Sequence, residues 1–69
     1  MNRIKELRKA KGLTLRELGE EIGISFSSLG NIENERRGLS IKRAIKLADY
    51  FDVSVDYLIG HEKTPNHVE

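Results

Sequence analysis

Residues 12–34 read GLTLRELGEEIGISFSSLGNIEN. Thr14 followed three residues later by Glu17 is a capping box, and Leu15, Leu18 and Ile22 then continue one helical face up to Gly23. Gly23-Ile24-Ser25 is too short for anything but a tight turn, and Gly23 can take a positive φ there without steric cost. Ser25 is a second cap, with Ile24 and Leu29 spaced as the two halves of a hydrophobic staple and Leu29 with Ile32 as the next buried stripe. Four residues before the turn, Gly19 removes the side chain at the point where the two helices cross. Leu15, Leu18, Ile22, Ile24, Leu29 and Ile32 fill the inside of that corner. Any helix pair shows some apolar spacing. The small residue at the crossing, the turn glycine and the apolar inner positions together are what a helix-turn-helix requires.

The same helical period extends in both directions, and nothing alternates as a strand would. Ile4, Leu7 and Ala10 predict a first helix over residues 2–11, stopped by Gly12. After the loop of Arg36, Arg37 and Gly38, Ser40 caps a fourth helix with apolar positions Ile41, Ala44, Ile45, Ala48 and Phe51. Ser54 caps a short fifth helix carrying Val55, Leu58 and Ile59, which Gly60 ends. The expected fold is therefore all-α, five short helices over residues 1–60. Residues 61–69 are polar, hold the only proline, and read as a tail or linker.

Composition narrows the function classes. At 69 residues the chain has room for one domain, and 38% hydrophobic with 33% charged residues suits a folded helical one. With no cysteine there is neither a disulfide framework nor a thiolate metal site. No apolar run approaches the ~20 residues of a membrane span, and no signal-peptide pattern opens the chain, so the expected location is the cytoplasm. No nucleophile–base pair or phosphate loop supports an enzyme, and no cofactor is implied. His61, Glu62 and His67 could approach a metal, but a polar tail is a poor frame for one.

Net charge is only +1, yet it is arranged in blocks. Residues 1–16 carry six basic groups against Glu6, and residues 17–35 carry Glu17, Glu20, Glu21, Glu33 and Glu35 with no base. Residues 36–46 carry Arg36, Arg37, Lys42, Arg43 and Lys46 with no acid, and the remainder is acidic. A basic face forms if the first and third blocks meet in space; an ordinary mixed surface results if they do not.

With Leu29 and Ile32 turned inward, Ser27, Asn31 and Asn34 line the opposite side of the third helix. Phe26 and Ser28 flank them, and Gly30 leaves room beside them. Asn can pair bidentately with adenine, Ser with several base edges, and Phe26 with a thymine methyl. A merely solvated face would more often carry Lys and Glu, although Phe26 could equally pack on the back of the second helix. Thr14, Arg16, Arg36, Arg37, Ser40 and Lys42, with Arg43 beside it, fall where phosphates would lie. The amides opening the fourth helix also favour an anion.

From Asn2 to Gly60 the sequence resembles the Cro/phage-repressor type of helix-turn-helix, the xenobiotic-response-element family. The likeness runs through IKELRKAKGLT, RELGEEIGIS, SSLGNIEN and IKLADYFDVSVDYLIG. The resemblance implies a lambda-repressor-like five-helix domain that binds operator DNA as a symmetric dimer, with the third helix in the major groove. It implies base reading by Phe26, Ser27 and Asn31, and a structural pair, Arg8 with Glu33, joining the first helix to the third. Four positions depart from the family pattern. Leu15 stands for a glutamine that contacts the DNA backbone, Gly19 for alanine, Glu35 for the glycine that ends the third helix, and Leu39 for a proline.

The leading expectation is thus a sequence-specific transcriptional regulator of the repressor kind, acting on double-stranded DNA as a homodimer. Its dimer contact is expected at the Leu39 loop and at Val55 and Tyr57 of the fifth helix. No membrane partner is expected, and a protein regulator is a further candidate partner. The alternative is a protein-interaction module on the same fold that does not read DNA, favoured by the acidic block at Glu17, Glu20 and Glu21.

Overall fold

In a computed structural model, which describes residues 2–35 and 38–61, the chain forms five helices in sequence. These are α1 (Ile4–Ala10), α2 (Leu15–Ile22), α3 (Phe26–Glu33), α4 (Ile41–Phe51) and α5 (Val55–Leu58). The described residues contain no strand and no helix long and apolar enough to cross a membrane.

Four of the five helices open on a hydroxyl cap. The side-chain oxygens of Thr14, Ser25, Ser40 and Ser54 accept from the amides of Glu17, Ser28, Arg43 and Tyr57. Each satisfies one amide that the first turn leaves without an intrahelical partner. At Thr14 the box is closed, since the Glu17 carboxylate accepts in turn from the Thr14 amide at 2.9 Å.

The first helix is shorter than its apolar period predicts, starting at Ile4 rather than residue 2. Tertiary bonding draws the two preceding residues out of the helix. Asn2 Oδ1 accepts from the Ile4 amide at 3.1 Å, while its Nδ2 donates to the Ile32 carbonyl at 2.9 Å. The Arg3 amide donates to the Leu58 carbonyl at 2.8 Å. The start of the chain is thereby stitched to the ends of both α3 and α5.

Ile4, Leu18, Leu29, Ile32, Leu47 and Leu58 are fully buried, with Ile22, Ile24, Ala44, Ala48 and Phe51 around them. The expected α4 face needs correction. Ala44, Ala48 and Phe51 are inside, together with Leu47, which the sequence reading left out; Ile41 is 79% and Ile45 49% exposed. Packing against α2 and α5 turns the helix so that the 44-47-48-51 stripe faces the core, which brings Leu47 in and leaves Ile41 and Ile45 outside it. Ala10 of α1 is likewise exposed.

Tyr50 joins three helices. Its hydroxyl donates to Glu21 of α2, and Lys11, just after α1, sits with its ammonium 5.3 Å from the ring centre. Burial, and then the charge and hydrogen bond of Glu21, push its phenol above the ordinary tyrosine range. A raised phenol favours the fold while neutral, so this contribution is complete below the ordinary tyrosine range and is lost as pH rises through the raised value. The melting advantage of the wild type over Tyr50→Phe is therefore expected to be larger at ~pH 8 than at ~pH 11. An advantage constant across that interval would refute the coupling.

Candidate nucleic-acid interface

The corner between α2 and α3 is set by two glycines. Gly23 ends α2 in the left-handed region at φ 72°, and its amide and that of Ile24 both donate to the Gly19 carbonyl, at 2.8 and 3.2 Å. Gly19 is buried at the crossing, where an added Cβ would fall far inside contact distance of the Ile24 carbonyl oxygen. Ile22 and Ile24 are buried on either side of the turn. This geometry holds α3 against α2 along its Leu29–Ile32 stripe and turns the other side of α3 outward.

On that outer side Ser27 is exposed and Asn31 half-buried. Phe26 is 49% exposed, and the Arg16 guanidinium lies 5.0 Å from its ring centre. Arg16 of α2 thus engages the Phe26 ring, while about half of the side chain stays exposed, so packing on the back of α2 is only partial. Ser28 accepts a hydrogen bond from the Ser25 hydroxyl at 3.0 Å and belongs partly to the cap. The Asn34 side-chain amide donates to the Gly30 carbonyl at 2.9 Å. Asn34 therefore caps the end of α3, and a base would have to compete with that bond. Next, Glu35 takes the left-handed conformation, φ 58°, that the missing glycine would otherwise supply.

Gly30 faces α2 rather than the reading side. A Cβ there would meet only Leu15 Cδ1 at 3.6 Å, an ordinary contact. Gly30→Ala is therefore expected to stabilise the domain by about 0.5–1 kcal/mol through helix propensity, measured by denaturant unfolding. A loss of stability would show that the α2–α3 spacing is tighter than this.

The cations gather at the turn. Lys42, Arg43 and Lys46 of α4 line a groove with Gly23 and Ile24. Lys46 was not among the expected site residues; its i+4 spacing from Lys42 was the available signal. The two candidate anion positions differ. The first turn of α2 carries Glu17 inside its capping box, so the carboxylate already occupies the positive end of that helix. The first turn of α4 has no acid, and its Ser40 cap precedes Lys42 and Arg43. Anion affinity is therefore favoured at α4 over Thr14. Arg36 and Arg37, and also Glu62 and His67, lie outside the described residues. No cluster of potential metal ligands occurs among the described residues.

Arg8 and Glu33 form an ion pair, Nε to Oε2 at 2.7 Å and Nη2 to Oε1 at 3.3 Å, with side chains 11% and 4% exposed. The same guanidinium donates to the Leu13 carbonyl at 2.7 Å. Glu33 is the last residue of α3, where the helix dipole disfavours a carboxylate, so its placement answers to Arg8 rather than to local helix chemistry. With Asn2 on the Ile32 carbonyl, this pair fixes the tilt of α3 against α1.

Comparison with known proteins agrees with this geometry. The helix-turn-helix family matches residues 4–58. An uncharacterized HTH-type transcriptional regulator of Bacillus subtilis, YobD, is 42% identical over 64 residues, covering 93% of this chain and 57% of its own. The HTH-type transcriptional regulator SinR of the same organism is 43% identical over 61 residues, 87% of this chain and 55% of its own. The cryptic phage CTXphi transcriptional repressor RstR of Vibrio cholerae is 31% identical over 67 residues, 97% of this chain and 60% of its own. The chain thus spans about half the length of these curated relatives. No solved structure matches it. A tight glycine corner, a cap before every helix from α2 on and a family pattern running through all five helices make one conclusion: the chain belongs to the helix-turn-helix family of the Cro/C1 type.

Proposed function

We propose that this chain is the DNA-reading domain of a transcriptional repressor and places α3 in the major groove of double-stranded DNA. One observation carries the reading: the outer side of α3 is uncharged and polar, while the cations Arg16, Lys42, Arg43 and Lys46 stand around its N-terminal end. Eight residues of helix measure about 12 Å, comparable to the width of the major groove. In this reading Asn31 and Ser27 address base edges and Phe26 a thymine methyl. Arg16, Ser40, Lys42 and Arg43 hold phosphates, Arg36 and Arg37 take the same role on the sequence reading, and Thr14 is a weaker contact. The relatives named as transcriptional regulators and as a phage repressor support the same role.

Two copies on a palindrome follow from energetics. One α3 reaches only about four base pairs, which is too few to discriminate against ~10⁶ or more competing sites, and a second copy roughly doubles the discrimination.

The test begins with selection of bound sites from a random duplex pool, followed by affinity measurements against salt. Binding should weaken steeply as salt rises, with each phosphate cation lost lowering the log–log slope by about 1. Asn31→Ala is expected to cost about 1–3 kcal/mol on the selected site and little on random duplex. Equal losses on both would make Asn31 a backbone contact. No salt-dependent binding to any duplex would instead favour the protein-interaction reading, whose surface would be the exposed Glu17, Glu20 and Glu21.

A further inference from the structure

Phe26 is a thinly supported aromatic. It opens α3 with half of its side chain exposed, beside a shallow cleft of about 320 Å³ at the α2–α3 corner. Gly19 and Gly23 line that cleft without side chains, and Ile24 and Ser25 line it beside them. The ring therefore has room to turn inward, the direction in which water drives an exposed apolar group. A ring lying in the cleft would offer nothing to a base.

Arg16 lines the same cleft, with its guanidinium carbon 5.0 Å from the ring centre. That is inside the ~6 Å over which a cation is drawn to an aromatic face. Two acids stand close to Arg16 in the sequence, yet neither takes it. Glu17 is closed into the Thr14 capping box. Glu20, at the i+4 spacing of a helical ion pair, forms none with Arg16 among the described residues. The ring is thus the partner that Arg16 has. A guanidinium meets a ring through its face while its N–H donors lie in its plane, so the same group can hold a phosphate as well.

We infer, resting on the DNA-reading proposal above, that Arg16 is a positioning residue for base reading as well as a phosphate contact. It holds the Phe26 ring out of the cleft, and the ring so held reads the 5-methyl group of a pyrimidine in the major groove. An apolar ring senses that methyl group and not the neighbouring O4 or N4, so 5-methylcytosine presents the same feature as thymine. The DNA addressed therefore includes sites with a methylated cytosine at this position, and methylation there raises affinity.

The test uses the whole chain and its selected duplex, with each thymine of a half-site replaced in turn by deoxyuridine, which lacks only the methyl group. At one position the wild type should favour thymine about fourfold, the effect of burying one methyl group. At that same position it should favour 5-methylcytosine over cytosine by a similar factor. Arg16→Gln should weaken binding to all four duplexes and also collapse both ratios towards unity. In a Phe26→Ala background, which has no ring to position, Arg16→Gln should weaken binding and leave the ratios as they are. Both side chains are exposed, and circular dichroism and melting check that each variant folds. A wild type indifferent to the methyl group at every position would overturn the inference and leave the DNA-reading proposal standing. So would an Arg16→Gln variant that binds more weakly with both ratios unchanged, since Arg16 would then be a phosphate contact alone. Absence of salt-dependent binding to any duplex would instead remove the DNA-reading proposal and the inference together.

Discussion

Glu33→Gln is expected to remove about 3 kcal/mol of folding stability, most of what a domain of this size has to spare. The carboxylate side chain is 4% exposed and answers two nitrogens of an Arg8 guanidinium that is itself 11% exposed. A glutamine can offer one acceptor oxygen, but its amide group then faces a cation that remains shielded from water and without a counter-charge. Leaving one charge of such a pair uncompensated is far more costly than losing a surface bridge. For a chain of 69 residues the corresponding fall in melting temperature is roughly 12–24 °C. Arg8→Ala should be worse, because the Leu13 carbonyl also loses its donor. Replacing both partners with apolar residues of similar volume should recover part of the loss, since no charge is then left unpaired. Thermal and guanidinium unfolding of the three variants provide the check; an unchanged Glu33→Gln midpoint would show the pair to be incidental. The pair also anchors the last residue of α3, two positions from Asn31, so a loosened end would change the angle at which the proposed reading face is offered.

How much of this was legible in the sequence varies with the range of the interaction. Local chemistry read through cleanly. The Thr14–Glu17 box, the Ser25, Ser40 and Ser54 caps and the Gly23 turn each depend on residues within four positions of one another. Boundaries failed where tertiary bonds intervene, as at Asn2 and Arg3, whose polar groups serve α3 and α5 instead of extending α1. The α4 face was misread for a related reason. Periodicity finds apolar positions but not which of them a neighbouring helix covers, so Ile41 and Ile45 were grouped with the core and Leu47 was not. At the candidate interface, the identity of the outward residues followed from helical geometry. Their availability did not, because the Asn34 amide is held by Gly30 and the Thr14 cap shares its helix end with a carboxylate. The Arg8–Glu33 partnership came from family resemblance alone, as no spacing rule connects residues 25 apart.

Gly19→Val should be the most damaging single change at the corner, costing about 3 kcal/mol. The atoms that a Cβ at this position would meet are all backbone: the Ile24 carbonyl oxygen, the Phe26 amide nitrogen at 3.5 Å and the Ile24 carbonyl carbon at 3.6 Å. A flexible side chain could swing aside, but this turn cannot, because its own hydrogen bonds return to the Gly19 carbonyl. Relief therefore requires α2 and α3 to separate, which uncovers Ile24 and Leu29, both buried at the corner. The family resemblance puts alanine at this position. Here the turn carbonyl sits too close even for that, so the glycine's loss of helix propensity is offset by a closer crossing. Gly30→Ala supplies the contrast, adding a methyl group to the same helix pair at a point with ordinary clearance. Denaturant unfolding of the two variants should move the midpoint in opposite directions. At a temperature where Gly19→Val remains folded, it should also bind its selected duplex more weakly than the wild type, since the tilt of α3 is defined at this crossing. A Gly19→Val denaturant midpoint that coincides with that of the wild type would show that the corner opens without penalty, and the tight-crossing argument would fall with it.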